Sequence, residues 1–439
     1  MLPVLRLANP SDAAKVDALV SRLHLDPRAI ALGSGERGQM TAVVQKTLAD
    51  VAERGDEAIL ESAKKFDDPD FTLDQLRVRA DEMEAAAKRI DPALRDALRR
   101  SVDQVREYQT HILPKAPHSL QRNGLTMGLR FTPLDSAGVY FPGGKASYPS
   151  SLIMLAVPAQ VAGVGRIVVC TPASKFGRSD AVLAAAHLAG ITEMYRMGGA
   201  AAIGALAFGT QTIKPVDKIV GPGNSYVQLA KRLLAGSVGI DGYLGPSEIL
   251  TIADDSASAK FIAADLLAQA EHDPGSCFLA TTSEGLANDV LAEVAWQLSG
   301  LQRRAPIEKA LREESMIVID PDLDRLMELA NRIACEHVNL QTRDNAAVLK
   351  KLRHVGAVYV GPYSPVAAGD YVAGPSHCLP TNTTARFASG ISVYEFMKRS
   401  SVVEYSAHGL AADAPAITAI ANAEHLDAHA ASVTVRLKK

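Results

Sequence analysis

Gln269 and His272 lie three residues apart at the end of an expected helix, Ala259–Glu271, so both side chains share one face. Phe261, Ile262, Leu266 and Leu267 set the opposite face toward a core. The helix is expected to stop at Asp273-Pro274, where polar side chains can converge. Glu336-His337 places an acid beside an imidazole at the junction of a helix and a strand. Asp370 falls in the loop Gly369-Asp-Tyr-Val-Ala-Gly-Pro-Ser-His377, after an expected strand at 357–360. Loops that leave parallel strands concentrate function. Glu424 and His429 stand five apart near the C-terminus. Two imidazoles, one carboxylate and one amide oxygen form a set suited to Zn²⁺. Each pair taken alone is more often structural.

The eleven histidines are uneven, with four in the first 271 residues and seven after them. His24, His111, His118, His187 and His354 have no partner pattern and read as core or surface residues.

Three glycine turns stand where strands are expected to end: Tyr140-Phe-Pro-Gly-Gly144, Gly198-Gly199 and Gly221-Pro-Gly-Asn224. Bare backbone N–H groups before a helix can hold a phosphate. Singly they are ordinary α/β turns; together at one sheet edge they suit a nucleotide-sized ligand. Gly33-Ser-Gly-Glu-Arg-Gly38 matches the dinucleotide fingerprint in letters only. It follows a helical, charged stretch, and the motif has meaning only between a strand and a helix.

The elements that must position these residues alternate. β-branched runs begin at Gly138, Arg166, Glu193 and Lys218, with helical stretches at 150–162, 179–188, 200–208 and 225–234 between and after them. A second alternation follows, with strand runs at 248–253, 277–281, 316–319 and 357–360 and helices at 259–271 and 323–335. This is the pattern of parallel sheets covered by helices. The expected fold is α/β: two doubly wound, Rossmann-like parallel-sheet domains, one inserted in the other, with a helical N-terminal and a small C-terminal extension. The expected division is an N-terminal helical arm at 1–35, one domain from 36–130 with 247–384, a second at 131–246, and a C-terminal segment at 385–439. That last segment is expected to hold a helix at 414–425 and a final strand at 432–437.

With 439 residues, 47% hydrophobic and 22% charged, the chain has room for a large core without staples. A net charge of -3, with both signs spread along the chain, argues against nucleic acid or an anionic membrane as the main partner. No CxxC pair occurs among Cys170, Cys277, Cys335 and Cys378, and reduced buried thiols are expected. The N-terminus lacks a secretory pattern and no run approaches a membrane span. The expected compartment is the cytoplasm.

Gly245-Pro-Ser-Glu248, Leu267-Ala-Gln-Ala-Glu-His272, Glu336-His337, Gly369-Asp-Tyr371, Gly374-Pro-Ser-His-Cys-Leu-Pro-Thr381 and Ala423-Glu-His-Leu-Asp-Ala-His429 stand in order along the chain. With the three glycine turns, they make it resemble the histidinol dehydrogenase family over nearly its whole length. The resemblance implies oxidation of L-histidinol through bound L-histidinal to L-histidine, with two NAD⁺ reduced. By position, it implies one Zn²⁺ per subunit, held by Gln269, His272, Asp370 and His429. Ser247, His377, Glu424, His337 and the metal ligands would surround the substrate. It makes His337 the general base and Glu336 the activator of water, and puts Tyr140 and Asn224 on NAD. It further implies a homodimer in which Glu424 and His429 complete the other chain's site.

The residue types agree with that chemistry: imidazole is a base near neutral pH, and a carboxylate can position the water that hydrates an aldehyde. Three departures bear on it. Ala201 stands where the family often has glutamine, Cys335 precedes Glu336 where proline is commoner, and Val366 stands where some members carry glutamate. The competing readings are a zinc and NAD dehydrogenase of another polar alcohol, such as a sulfopropanediol, a metal-dependent hydrolase, and a non-catalytic binding protein. The glycine turns oppose the hydrolase, and the ionisable cluster opposes the binding protein.

Overall fold

A computed structural model describes residues 2–25, 28, 32, 36–143, 146–272 and 275–438. Asp273-Pro274, Gly144 and the start of the Gly33–Gly38 stretch lie outside the described residues.

The run Glu248-Ile-Leu-Thr-Ile-Ala shows no polar alternation, which suits a strand covered on both faces. It forms the strand Ser247–Ala253, buried from Glu248 onward. That strand lies inside a six-stranded sheet ordered Val4–Arg6, Met316–Ile319, Gly275–Thr281, Ser247–Ala253, His337–Gln341, Ala357–Val360. Every pairing is parallel. Chain order reverses between Ser247–Ala253 and His337–Gln341, which makes that gap a topological switch point. The second sheet is also parallel throughout, in the order Met194–Arg196, Arg166–Thr171, Ser136–Tyr140, Lys218–Val220, Gly239–Ile240. Its reversal falls between Ser136–Tyr140 and Lys218–Val220.

Each sheet has a core on both faces. The helix Pro149–Ala162 is apolar nearly all round, and it is buried on all sides accordingly. Burying Leu152, Ile153, Met154 and Leu155 contributes roughly 1.5–3 kcal/mol each. All four cysteines are buried and unpaired. Among the described residues no helix is long and apolar enough to cross a membrane.

The expected domain division needs correcting at its edges. The segment at 1–35 is not a free helical arm: Val4–Arg6 is the edge strand of the six-stranded sheet, and Val16 and Val20 of the helix Pro10–Leu23 enter the core on one of that sheet's faces. The helices between Glu36 and His111 pack on the five-stranded sheet, not on the six-stranded one. One α/β unit is still inserted in the other, but it begins near Glu36. The charged stretch at 80–108 is two helices, Ala80–Arg89 and Pro92–His111, divided where Asp91 caps the Ala93 amide at 2.7 Å ahead of Pro92.

A three-stranded antiparallel sheet was not expected. Leu125–Pro133 pairs with Leu120–Arg122 on one side and with Met397–Tyr405 on the other. The final strand expected at 432–437 is the helix Asp427–Leu437, following the helix Ala407–Ala423. Its Val-Thr-Val run favours a strand only where a neighbour can pair with it. Lacking one, its backbone groups are satisfied within a helix. Asp370 is not in a loop but in the short helix Val366–Tyr371.

Candidate functional site

Strand His337–Gln341 runs beside Ser247–Ala253 with His337 opposite Ile249, which sets the Glu248 peptide against the acid–imidazole pair. The Glu248 amide donates to Glu336 Oε2 at 2.9 Å. The Glu248 carbonyl lies 3.2 Å from His337 Nδ1. A carbonyl only accepts, so Nδ1 carries the ring proton and Nε2 keeps its lone pair. Nε2 is buried and has no hydrogen-bond partner among the described residues. Asp370 Oδ1, at 3.9 Å, is beyond hydrogen-bond reach. Burial pushes the His337 pKa down to about 3, so the ring is neutral at neutral pH.

Three carboxyl groups lie in this neighbourhood: Glu336 beside the ring, Asp370 facing it, and Glu248 next to Glu336. Burial holds Glu336 well above the ordinary carboxylate range, opposed by the Glu248 amide and by a hydrogen bond with the Ser247 side chain. Glu248 is pushed up to about 7 by burial. Its Oε1 accepts from the Asn382 amide at 2.9 Å, and its Oε2 has no partner. Asp370 is raised to about 6 by burial, with His272 opposing. Among the described residues no lysine or arginine pairs with any of the three.

Asp370 is held through its backbone. His377 Nδ1–H donates to the Asp370 carbonyl at 2.7 Å, and Nε2 accepts from the Ser151 hydroxyl at 3.0 Å. Both ring nitrogens of His377 are taken, one of them by the Asp370 carbonyl. Gln269 lies in the last turn of the helix Ala259–Ala270 and His272 just beyond its cap Glu271. Gly275 follows, where a Cβ would stand 2.5 Å from the Gln269 carbonyl and 2.8 Å from that of His272. Gln269 is buried and its Nε2 has no hydrogen-bond partner among the described residues. His272 is open to solvent on one side, yet the surrounding walls lower its pKa below 6.5, with Asp370 opposing.

This arrangement fits a divalent cation. Neutral imidazole, a buried carboxylate and the side-chain amide of Gln269, whose oxygen can ligate, are present, and among the described residues no cation pairs with the buried acids. Within one chain the set is incomplete. Glu424, at the end of Ala407–Ala423, and His429, in Asp427–Leu437, are exposed; these two helices pack on each other and the first also touches Met397–Tyr405. Among the described residues no group of three or more acidic, histidine or cysteine side chains is placed to hold a metal.

The glycine turns lie at the carboxyl ends of strands in the other sheet. Gly199 N donates to the buried Tyr140 hydroxyl at 3.3 Å. Asn224 Oδ1 accepts from the Tyr226 and Val227 amides, both at 3.1 Å, and so caps the helix Ser225–Leu234. In the six-stranded sheet the order is opposite: Ser247 and His337 open their strands, so the polar cluster sits at the amino ends. The Ser151 hydroxyl, on the helix Pro149–Ala162 that follows the first of the glycine turns, reaches His377 and so ties the two parts together. Sequence reasoning missed Glu248 as a site residue; the signal was a lone acid opening an apolar strand run.

The fold and site define an α/β protein of two parallel sheets, with glycine turns at the carboxyl ends of one and a buried acid–imidazole pair at the amino end of a strand in the other. Residues 33–437 match the family described as histidinol dehydrogenase. The chain is 48% identical to a histidinol dehydrogenase of Bradyrhizobium diazoefficiens over 397 residues, 90% of this chain and 92% of that one. It is 45% identical to one of Gluconobacter oxydans over 413 residues, 93% and 95% of the two chains. The crystal structure of histidinol dehydrogenase from Elizabethkingia anophelis superposes with a TM-score of 0.91 at 33% identity, covering 99% of this chain and 98% of that one. The chain belongs to the histidinol dehydrogenase family, a family of oxidoreductases.

Proposed function

We propose that the protein oxidises L-histidinol through bound L-histidinal to L-histidine and reduces two NAD⁺ in succession. The observation that carries this reading is the bare, buried Nε2 of His337, beside Glu336 and facing Asp370, in a chain of this family. In the first step Nε2 takes the alcohol proton while hydride leaves the carbinol carbon for the nicotinamide. In the second, Glu336, once ionised, takes a proton from the water that adds to the aldehyde. His337 returns the proton it holds to the carbonyl oxygen as the hydrate forms. The hydrate then gives hydride to the second NAD⁺ and a proton back to His337, leaving the carboxylic acid to ionise. Ser247 orients Glu336, and His377 holds Asp370 in place.

Zn²⁺, one per subunit, held by Gln269, His272, Asp370 and His429 of a second copy, would supply the missing positive charge and positions for the substrate's imidazole and amine. Glu424 of that copy would close the substrate pocket. Support for a homodimer comes from apolar residues left exposed on the C-terminal segment: Val402, Val403, Ile420 and Val435. Tyr140 and Asn224 would face the dinucleotide. With the Asn224 oxygen spent on its helix cap, the amide nitrogen is the group left for it. Cytoplasmic residence is part of the same reading.

The test is an absorbance assay of purified protein with zinc, NAD⁺ and histidinol. The expected result is two NADH per histidinol consumed, lost on chelation and restored by zinc. Activity confined to other alcohols, or hydrolysis without NAD⁺, overturns the reading.

A further inference from the structure

Lys231 and Asp241 form an ion pair in which neither side chain has any exposure. Both reach the same glycine. The Gly221 amide donates to Asp241 Oδ2 at 2.6 Å, and Lys231 Nζ donates to the Gly221 carbonyl at 2.9 Å. Gly221 has φ +122°, and a side chain there would run into the Tyr140 carbonyl. Gln228 lies one turn before Lys231 on the same helix, Ser225–Leu234. Its Oε1 accepts from the Leu244 amide at 3.3 Å, and its Nε2 reaches the Gly223 carbonyl at 3.5 Å. The chain at 241–246 is the link from the five-stranded sheet to Ser247 and Glu248. One buried helix face therefore grips the Gly221–Asn224 turn and the crossover to the substrate strand together.

A buried ion pair is a weak source of stability, since desolvation offsets most of its attraction. Here the charges fix backbone atoms, which an apolar replacement cannot do. We propose that Lys231, Asp241 and Gln228 are positioning residues that lock the Gly221–Asn224 turn in the form that binds a dinucleotide. The assignment rests on reading that turn as the cofactor edge.

Two full-length variants test it: the double substitution Lys231→Met with Asp241→Asn, which leaves no unpaired buried charge, and Gln228→Leu. NAD⁺ affinity is read by calorimetry, KM and kcat by absorbance, and amide exchange over Gly221–Val227 by mass spectrometry. The expected result is a dissociation constant and KM for NAD⁺ raised about tenfold or more, with faster exchange confined to the turn. The kcat at saturating NAD⁺ and the KM for histidinol should stay within about twofold of wild type. Unchanged NAD⁺ affinity in a folded variant, with or without faster exchange, overturns the proposal, as does a fall in kcat alone. If the double variant does not fold, Gln228→Leu decides. A wild-type protein that binds no NAD⁺ rejects the cofactor reading itself, a failure separate from that of the lock.

Discussion

In the proposed reaction, His337 would owe its readiness as a base to a main-chain carbonyl. Glu248 C=O fixes the proton on Nδ1, and burial keeps Nε2 unprotonated. Replacing His337 with alanine should lower kcat for the first oxidation by about 10²–10⁴-fold while zinc content, measured by metal analysis, stays near that of wild type. Glu336→Gln should act later: single-turnover mixtures should accumulate bound aldehyde, and NADH per histidinol should fall from two toward one. Equal loss of both steps would remove Glu336 from the water-activating role. Glu248 gives a pH prediction. Its folded pKa, about 7, lies above the ordinary 4.5, so the folded state binds more protons between those values. Its contribution is fully present below pH 4.5 and is lost as pH rises through 7. Urea unfolding from pH 5 to 8 should show wild type losing on the order of 3 kcal/mol relative to Glu248→Gln. Parallel curves would refute it. The acid–imidazole pair and the Gln269–His272 spacing were legible as letters three apart or adjacent. Glu248 was not, because its role depends on the register between two strands that are far apart in sequence.

At the scale of elements, hydrophobic runs located most of the parallel strands, because a strand covered on both faces has a distinctive apolar stretch. Failures came where partners decide. The Val-Thr-Val run near the C-terminus has strand chemistry and no strand to pair with. Leu125–Pro133 is only partly buried, and its antiparallel partner Met397–Tyr405 lies far along the chain, so neither shows a local signal. Element packing also sets the site. Strand Ala357–Val360 begins beside the Glu336–His337 pair, with Ala357 opposite His337. A Cβ on Gly356 would stand 2.5 Å from the Glu336 carbonyl. Gly356→Ala should therefore push Glu336 out of line, lowering stability by about 1–3 kcal/mol and kcat more than KM. Denaturant midpoints and initial rates together check this. Wild-type kcat in the alanine variant would show that the Glu336 backbone has room to move.

At the scale of the molecule, the sequence showed two α/β units but placed the helices before residue 112 on the wrong one. Alternation identifies layers without saying which sheet a preceding helix covers. The larger question is where His429 acts. Four candidate ligands were read from one chain, and the fold gathers Gln269, His272 and Asp370 near the amino ends of one sheet while leaving His429 exposed on a helix with no buried residue. An exposed imidazole beside uncovered Ile420 and Val435 suits a segment that finishes its packing on a second copy. In a two-fold dimer each site would take residues 269, 272, 337 and 370 from one chain and 424 and 429 from the other. His429→Ala and His337→Ala homodimers should each be inactive. Their heterodimer, isolated with two affinity tags, should hold one intact site and recover about half of wild-type activity. If His429 instead served its own chain, both sites of that heterodimer would be defective and no activity would return.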